Sequence, residues 1–98
     1  MMNLDIKDIH FTLRDDGRQY IEKKLGRLHN ADANIIDLLI TITKDAKEFI
    51  AEATINFRWG VSSHVKEHEP ELNPAIDKLF DALAVKVNKE KEKAQEKR

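Results

Sequence analysis

Few residues in the sequence have types and spacings that suit catalysis or metal binding. The chain has no cysteine, which excludes disulfides, thiolate metal sites and thiol nucleophiles. His64 and His68 have the i, i+4 spacing that brings two ligands together on a helix, but their segment alternates as a strand does. The neighbouring carboxylates Asp15 and Asp16 suit helix capping, and the three glycines are too scattered to form a phosphate-binding loop. We therefore expect no enzymatic activity, no metal or other cofactor, and no small-molecule substrate.

The chemistry that the sequence does favour is phosphate binding by basic side chains. The 17 basic and 18 acidic residues nearly cancel, so net charge alone does not predict a nucleic-acid partner. On a helical wheel at about 100° per residue, however, the last apolar-periodic segment has a basic flank and an acidic flank on either side of its core stripe. The basic flank consists of Lys78, Lys86, Lys89 and Lys93. The acidic flank contains Asp77, Asp81 and Glu92.

The first predicted helix has a similar basic flank, formed by Lys23, Lys24 and Arg27 with Tyr20 among them. If the two helices lie side by side, the two basic flanks would face a common groove. Lysine is a flexible point charge that suits contact with phosphates more than recognition of bases. An ordinary solvated helix face explains the same pattern, and this alternative stays open.

Hydrophobic periodicity indicates the elements that must position these side chains. Gly17 lies within the apolar stripe of the first helix, which predicts a close backbone approach to a sheet. Residues 30–34 are polar and predict a loop. The predicted elements are a strand at 3–7, a helix from 15 or 16 to about 30, strands at 35–43, 49–59 and 61–66, and a helix from about 72 onwards.

The order β-α-β-β-β-α predicts the α+β class. Three adjacent strands with short links imply an antiparallel meander. Both helices have a single apolar stripe, so we expect both to pack on one face of a four-stranded sheet. The 98 residues are enough for one domain, which we place at 1–98 with a basic C-terminal tail from about residue 94.

Alternation along the strands predicts which side chains face the core. In the strand at 49–59 the odd positions are apolar, so core packing of Phe49, Phe57 and Trp59 is favoured over a base-stacking role. In the strand at 35–43 the predicted core face consists of Ile36, Leu38, Ile40 and Ile42. Ile35 and Leu39 fall on the other face, where partial exposure leaves room for self-association or a partner.

The sequence gives no sign of a membrane or an export signal. It contains no run of about 18 apolar residues, so no membrane-spanning helix is expected. Its first residues lack the charged and apolar regions of a signal peptide, and we therefore predict a cytoplasmic protein.

Several ordered features carry a family resemblance. They are the element order, the opening residues 2–7, the helix segment 18–28, the Pro-Ala-Ile-Asp-Lys-Leu segment at 74–79, and the later Lys-x-Lys at Lys89 and Lys91. Together they extend from Leu4 to about Lys91, and they resemble the ribosome hibernation-promoting factor and protein Y family, which includes sigma-54 modulation proteins.

The resemblance implies a fold like that of a double-stranded-RNA-binding domain. It implies binding to the small ribosomal subunit, its rRNA and the intact ribosome, in the channel that holds mRNA and the A- and P-site tRNAs. Members of such a family block translation and preserve inactive ribosomes in stress or stationary phase. Because the chain ends at Arg98, it resembles the short form, which helps to form or stabilise paired ribosomes.

The resemblance also bears on individual positions. Lys24, Arg27, Lys89 and Lys91 match basic family positions. Relatives are usually basic at the position of Ala82 and can be basic at the position of Val85, and their Asp-x-Tyr stands here as Glu-Leu-Asn at 71–73. The complete predicted rRNA-binding set is Lys23, Lys24, Arg27, Lys78, Lys86, Lys89, Lys91 and Lys93. Two alternatives remain: a general double-stranded-RNA-binding module, or a divergent protein-interaction domain that has lost RNA binding.

Overall fold

A four-stranded sheet with two helices on one face makes up this computed structural model, which describes residues 2–96 without the side chains of 29–32, 95 and 96. The strands lie in the order β1-β2-β3-β4; β1 is parallel to β2, and the other neighbours are antiparallel. The elements are β1 (Asn3–Ile9), α1 (Asp15–Lys24), a 3-10 helix (Leu25–Asn34), β2 (Ile35–Asp45), β3 (Glu48–Phe57), β4 (Ser62–Glu69) and α2 (Leu72–Glu96). This arrangement confirms the α+β class, the β-α-β-β-β-α order and the meander.

The core lies between the sheet and the helices, because each element buries one periodic set of side chains. In β3 the odd positions from Ala51 to Phe57 are buried and the even positions are partly exposed, as the alternation predicts. The apolar stripe of α2 is buried against them. Its buried members are Ala75, Ile76, Leu79, Phe80, Leu83 and Val87.

The start of β2 differs from the predicted pattern. Ile36, expected in the core, is 43% exposed, whereas Ile35, expected on the other face, is fully buried. The pairing of β2 with β3 shifts register between Ile35 and Asp37. Because side chains alternate with a period of two, one extra residue in a bulge reverses which of two neighbours points inward. Leu39, beyond the shift, is half-buried on the outer face as predicted.

The first helix begins without the predicted aspartate cap. Its N-cap residue is Arg14, which makes no side-chain capping bond. Asp15 and Asp16 instead occupy the first turn, where the helix dipole favours negative charge. The Asp16 carboxylate accepts a hydrogen bond from the Gly17 N–H at 2.9 Å.

The same helix is also shorter than predicted. It ends at Lys24, and the following ten residues, including the predicted polar loop, form a 3-10 helix. The backbone N–H of Leu25 is shared between the carbonyls of Ile21 and Glu22, an arrangement that tightens the chain toward 3-10 geometry. Leu28 of the 3-10 helix remains buried, so this segment still contributes to the core.

Gly17 permits a close approach, although not to the sheet. A Cβ at this position would lie 2.7 Å from Cδ1 of Leu13 and 3.7 Å from Cδ2 of Leu72. The contact is therefore with the segment before α1 and the first residue of α2, which places the two helix starts side by side.

The turn after β3 brings Trp59 out of the predicted strand. The strand ends at Phe57, and the turn is closed by a hydrogen bond from the Gly60 N–H to the Phe57 carbonyl at 3.1 Å. Gly60 has a φ of +84°, a conformation that favours glycine. Trp59 is consequently 37% exposed rather than buried, while Phe57 is buried and Phe49 packs against the core as predicted.

Two further expectations concern the ends of the chain and membranes. Helix α2 continues to Glu96, through the start of the predicted basic tail, and Lys97 and Arg98 lie outside the described residues. Within residues 2–96, neither helix combines the length and the apolar character needed to cross a bilayer.

Candidate nucleic-acid interface

The two flanks of α2 face different neighbours. Its acidic flank faces α1 and the 3-10 helix, because the Asp77 carboxylate lies 3.0 Å from Nζ of Lys24 and the Asp81 carboxylate pairs with Arg27. Its basic flank faces the β4 side, where Nζ of Lys78 lies 2.8 Å from Oε2 of Glu69. The expected groove between two basic flanks is therefore not formed. Opposite charges meet at the helix–helix boundary instead.

A three-residue cluster holds this boundary together. The Tyr20 hydroxyl donates a hydrogen bond to Oδ1 of Asp77 at 2.5 Å, and the Lys24 ammonium lies 5.4 Å from the centre of the Tyr20 ring. The hydrogen bond from Tyr20, followed by that from Lys24, lowers the pKa of Asp77. Hydrogen bonding to Asp77 in turn raises the pKa of Tyr20 and the pKa of Lys24. Asp77 is thus held as a carboxylate between two donors from α1.

Half of the predicted rRNA-binding set is engaged with carboxylates. The paired residues are Lys24 with Asp77, Arg27 with Asp81, Lys78 with Glu69, and Lys93 with Glu90 at 3.7 Å. The hydrogen bond to Glu69 raises the pKa of Lys78. Exposed ion pairs of this kind contribute little net stability. A phosphate can therefore replace the carboxylate as the partner of each of these cations. The free energy gained on phosphate binding is smaller than for an unpaired cation, because an existing ion pair is lost.

The other half is unpaired. Within the part of the chain that the structure describes, Lys23, Lys86, Lys89 and Lys91 have no carboxylate partner. Lys91 lies across the core stripe from the other lysines of α2, at about 60° from Ile76 on the helical wheel. The remaining basic residues of its C-terminal half share one flank and form what we call the lysine ridge, Lys86, Lys89 and Lys93.

Two neighbours of the ridge were not predicted from the sequence. Glu90 is buried, because it falls on the core stripe of α2 one turn after Val87. Trp59 lies near the same end of the helix, where it lines a small cavity together with Lys93 and Ala94. The wheel position of Glu90 was a usable signal for its burial. The position of Trp59 depends on the turn and had no periodic signal.

The outer face of the sheet is unlike the helical side. His64 lies 3.4 Å from Glu52, and His68 lies 3.2 Å from Glu48, so the two histidines have different cross-strand partners. Among the described residues, no three histidine, aspartate or glutamate side chains come together as a metal site. The charged residues pointing outward here are mostly acidic: Asp5, Asp37, Asp45, Glu48 and Glu52 against Lys7 and Lys66. The outer face is therefore a poor surface for phosphate, and the lysine ridge is the better one.

Comparisons with known proteins agree with this architecture. A family model described as sigma 54 modulation protein / S30EA ribosomal protein matches residues 4–95. The structure is similar to a ribosomal subunit interface protein from Coxiella burnetii, with a TM-score of 0.85 at 19% identity over 92% of this chain and 98% of that one. It is also similar to the N-terminal domain of Thermus thermophilus protein Y, with a TM-score of 0.78 at 27% identity over 90% of this chain and 98% of that one.

These matches confirm the family resemblance that the sequence suggested. The first of the two structures supports the fold, and the family model covers nearly every described residue. Family members are ribosome-binding factors and not enzymes, in agreement with the expectation from the sequence. The chain belongs to the sigma 54 modulation protein / S30EA ribosomal protein family.

Proposed function

We propose that this protein is a ribosome hibernation factor. It binds the small ribosomal subunit at the decoding channel, in the region of the A and P sites, and its partners are the rRNA and the intact ribosome. It acts in the cytoplasm, inhibits translation and keeps ribosomes inactive under stress. Membership of a ribosome-associated family supports the ribosome as the partner, and the domain's likeness to a protein Y domain supports the mode of binding.

The mechanism is occupancy, and it requires no bond chemistry. A folded domain fills space that mRNA and tRNA would use, and cationic side chains hold it against rRNA phosphates. The observation that carries this proposal is the sorting of charge on α2: acidic residues face α1, while Lys86, Lys89 and Lys93 lie together on the other flank. An electrostatic footprint on one side of a nearly neutral molecule gives the domain a preferred orientation toward RNA.

Whether each cation is already paired with a carboxylate indicates how strongly it would contribute to RNA binding. Lys86 and Lys89 have no carboxylate partner among residues 2–96, so a phosphate can bind them without breaking an existing ion pair. Lys24 and Arg27 match basic family positions, but they are held by Asp77 and Asp81 and must exchange partners to reach RNA. We therefore place the main contact on the lysine ridge, with Lys23 and Lys91 as further unpaired cations.

Sedimentation with small subunits tests this proposal. The ridge variant reverses three charges, Lys86→Glu, Lys89→Glu and Lys93→Glu. The control variant also reverses three charges, at exposed lysines outside the helices: Lys7→Glu, Lys47→Glu and Lys66→Glu. We expect the control to sediment with subunits and the ridge variant to remain in solution, with circular dichroism verifying that both are folded. Unchanged sedimentation of a folded ridge variant would contradict the charge-based mechanism.

Salt dependence gives a second measurement. For each phosphate that a variant no longer binds, the slope of log affinity against log salt should become shallower by about one. A competition between small subunits and an arbitrary RNA duplex then separates a ribosome factor from a general duplex binder, because only the former prefers subunits.

One observation favours an alternative function. Val85 is 58% exposed on α2, at a position where relatives can be basic, and half of the predicted RNA-binding cations are already paired. A domain that binds a protein through this apolar residue would need no RNA. That alternative predicts no retention on RNA at low salt and weaker partner binding by Val85→Lys.

A further inference from the structure

Trp59 is a large aromatic side chain held at the rim of the fold. It is the only tryptophan of the chain, in the turn between β3 and β4. Its ring stacks on Phe57, with centroids 5.0 Å apart and planes 10° from parallel, and Phe57 is itself buried. One face of the indole is therefore covered by the core, and the 37% exposure of Trp59 belongs to the rest of its ring.

The turn that carries Trp59 is fixed at both sides. Arg58 donates a hydrogen bond from its backbone N–H to the Asn34 carbonyl at 3.0 Å and another from Nε to the Ala33 carbonyl at 2.5 Å. The Phe57 N–H donates to the Val61 carbonyl at 2.9 Å, which closes the turn. An aromatic ring on such a support is already ordered, so the Trp59 side chain loses little conformational entropy when a ligand stacks on it.

A cation and its carboxylate partner lie beside this ring. Lys93 of the lysine ridge lines a cavity of about 60 Å³ together with Trp59, Val61 and Glu90, and the Lys93 ammonium lies 3.7 Å from the Glu90 carboxylate. The Arg58 side chain is exposed on the same turn as Trp59. The cavity has the volume of about two water molecules. It is too small for a base or an amino-acid ring, so a planar ligand must lie on the exposed surface of Trp59 instead.

We propose that Trp59 is a stacking platform for an unpaired RNA base, with Lys93 and Arg58 facing the adjacent phosphates. Every base has a flat π surface, so stacking on Trp59 does not depend on the base sequence. The positive charge of Arg58 matches the RNA backbone, and Lys93 would exchange its partner Glu90 for a phosphate, because exposed ion pairs contribute little stability. Duplex RNA keeps its bases stacked on each other, and the ligand is therefore single-stranded. This inference deepens the proposed function and rests on it for the source of the RNA, since Lys93 belongs to the lysine ridge.

Because the chain has a single tryptophan, its fluorescence reports on this site alone. The wild-type protein is titrated with single-stranded oligouridine and with an RNA duplex of equal length. We expect oligouridine to quench the emission and to shield Trp59 from acrylamide, with an affinity about 5-fold or more above that of the duplex for the same signal. Unchanged emission and unchanged acrylamide access at saturation, judged with dye-labelled RNA, would overturn the proposal, as would a failure of oligouridine to bind.

Variants separate stacking from a structural role of the ring. Trp59→Ala should weaken binding of labelled oligouridine by about 5-fold or more, and Trp59→Phe by less. Lys47→Ala, at the opposite end of β3, removes one positive charge and should leave this signal unchanged. Circular dichroism verifies that the variants are folded. If Trp59→Ala does not fold, the affinity of Trp59→Phe and the acrylamide measurement on wild type still test whether RNA stacks on Trp59. Equal affinity of folded Trp59→Ala and wild type would refute the platform.

Sedimentation distinguishes the failure of this inference from the failure of the proposed function. If the wild-type protein does not sediment with small subunits, the proposed function fails, whereas the stacking site stands if oligouridine still quenches Trp59. If it sediments but the emission of the bound protein is unaltered, stacking fails and the proposed function stands. Quenching by RNA-free ribosomal proteins but not by oligouridine would assign Trp59 to a protein contact and overturn the inference.

Discussion

The hydroxyl of Tyr20 and the carboxylate of Asp77 are joined by a hydrogen bond although they lie 57 positions apart in the chain. With Lys24 on the same carboxylate, this bond fixes α1 against the acidic flank of α2. The buried apolar stripe of α2 sets the rotation of this helix about its own axis, and the bond from Tyr20 holds the acidic flank against α1. The lysine ridge therefore points away from α1, which puts the proposed RNA-binding surface on the other flank of α2.

The Asp77 carboxylate should make stability depend on pH in the acid range. Its pKa in the folded protein is lowered by the bonds from Tyr20 and Lys24, so protonation favours the unfolded chain. Its contribution is present above the ordinary value of 3.8 and is lost as pH falls through the lower folded value. We expect the urea midpoints of wild type and Asp77→Asn to differ at neutral pH and to converge below about pH 4. Asp5→Asn is the control, because it removes an exposed carboxylate that has no ion-pair partner among the described residues. It should leave the urea midpoint at neutral pH close to that of wild type, and an equal loss in both variants would contradict the role assigned to Asp77.

Asp81 should weaken RNA binding by holding Arg27. The variant Asp81→Asn removes the ion pair, and we expect tighter binding to small subunits with a salt slope that is steeper by about one. Glu92→Gln is a matched control, because it removes the same charge from the same helix at a residue without an ion-pair partner in the described residues. Binding constants for small subunits are measured over a series of salt concentrations. Equal slopes of log affinity against log salt for both variants would show that Arg27 does not reach phosphate.

Gly17→Ala should destabilise the protein although alanine is the better helix former. The added Cβ would lie 2.7 Å from Cδ1 of the buried Leu13, and overpacking costs about 1–3 kcal/mol against a helix gain of about 1 kcal/mol. Gly26→Ala is the control, because no atom lies within 4 Å of the Cβ that alanine would add there, and it should stabilise by about 0.4–1 kcal/mol. Urea unfolding measures both, and a more stable Gly17→Ala variant would mean that Leu13 moves aside without cost.

The bulge at the start of β2 can be tested with two neighbouring isoleucines. Ile35 is fully buried and Ile36 is 43% exposed. We expect Ile35→Ala to cost about 2–5 kcal/mol of unfolding free energy and Ile36→Ala within about 0.5 kcal/mol. A larger loss of unfolding free energy for Ile36→Ala than for Ile35→Ala would contradict the bulge and would mean that Ile36 points into the core.

The regular parts of this fold are predictable because they follow one local rule. In β3 a strict alternation from Ala51 to Phe57 places one apolar set on the core, and in α2 the spacing from Ile76 to Val87 does the same. No long-range information is needed for either. The α+β class and the helix faces follow directly.

The remaining differences arise where distant residues decide. Whether Ile35 or Ile36 points inward depends on how β2 is registered against β3, which the local pattern does not contain. The two basic flanks looked equivalent on separate wheels, but the carboxylate of Asp77 lies opposite Lys24 only once both helices are placed on the sheet. The charge types on the flanks were predictable, and their partners were not.

Strand β4 is an edge strand of the sheet, since β3 is its one neighbour in the strand order of the described residues. Every side chain from His64 to Glu69 except Val65 is charged or an imidazole, and Pro70, which follows, has no backbone N–H to donate. Such edges resist the strand-to-strand addition that begins fibrous aggregates. The charged side chains and Pro70 therefore disfavour the pairing of a second chain with the β4 edge of this sheet.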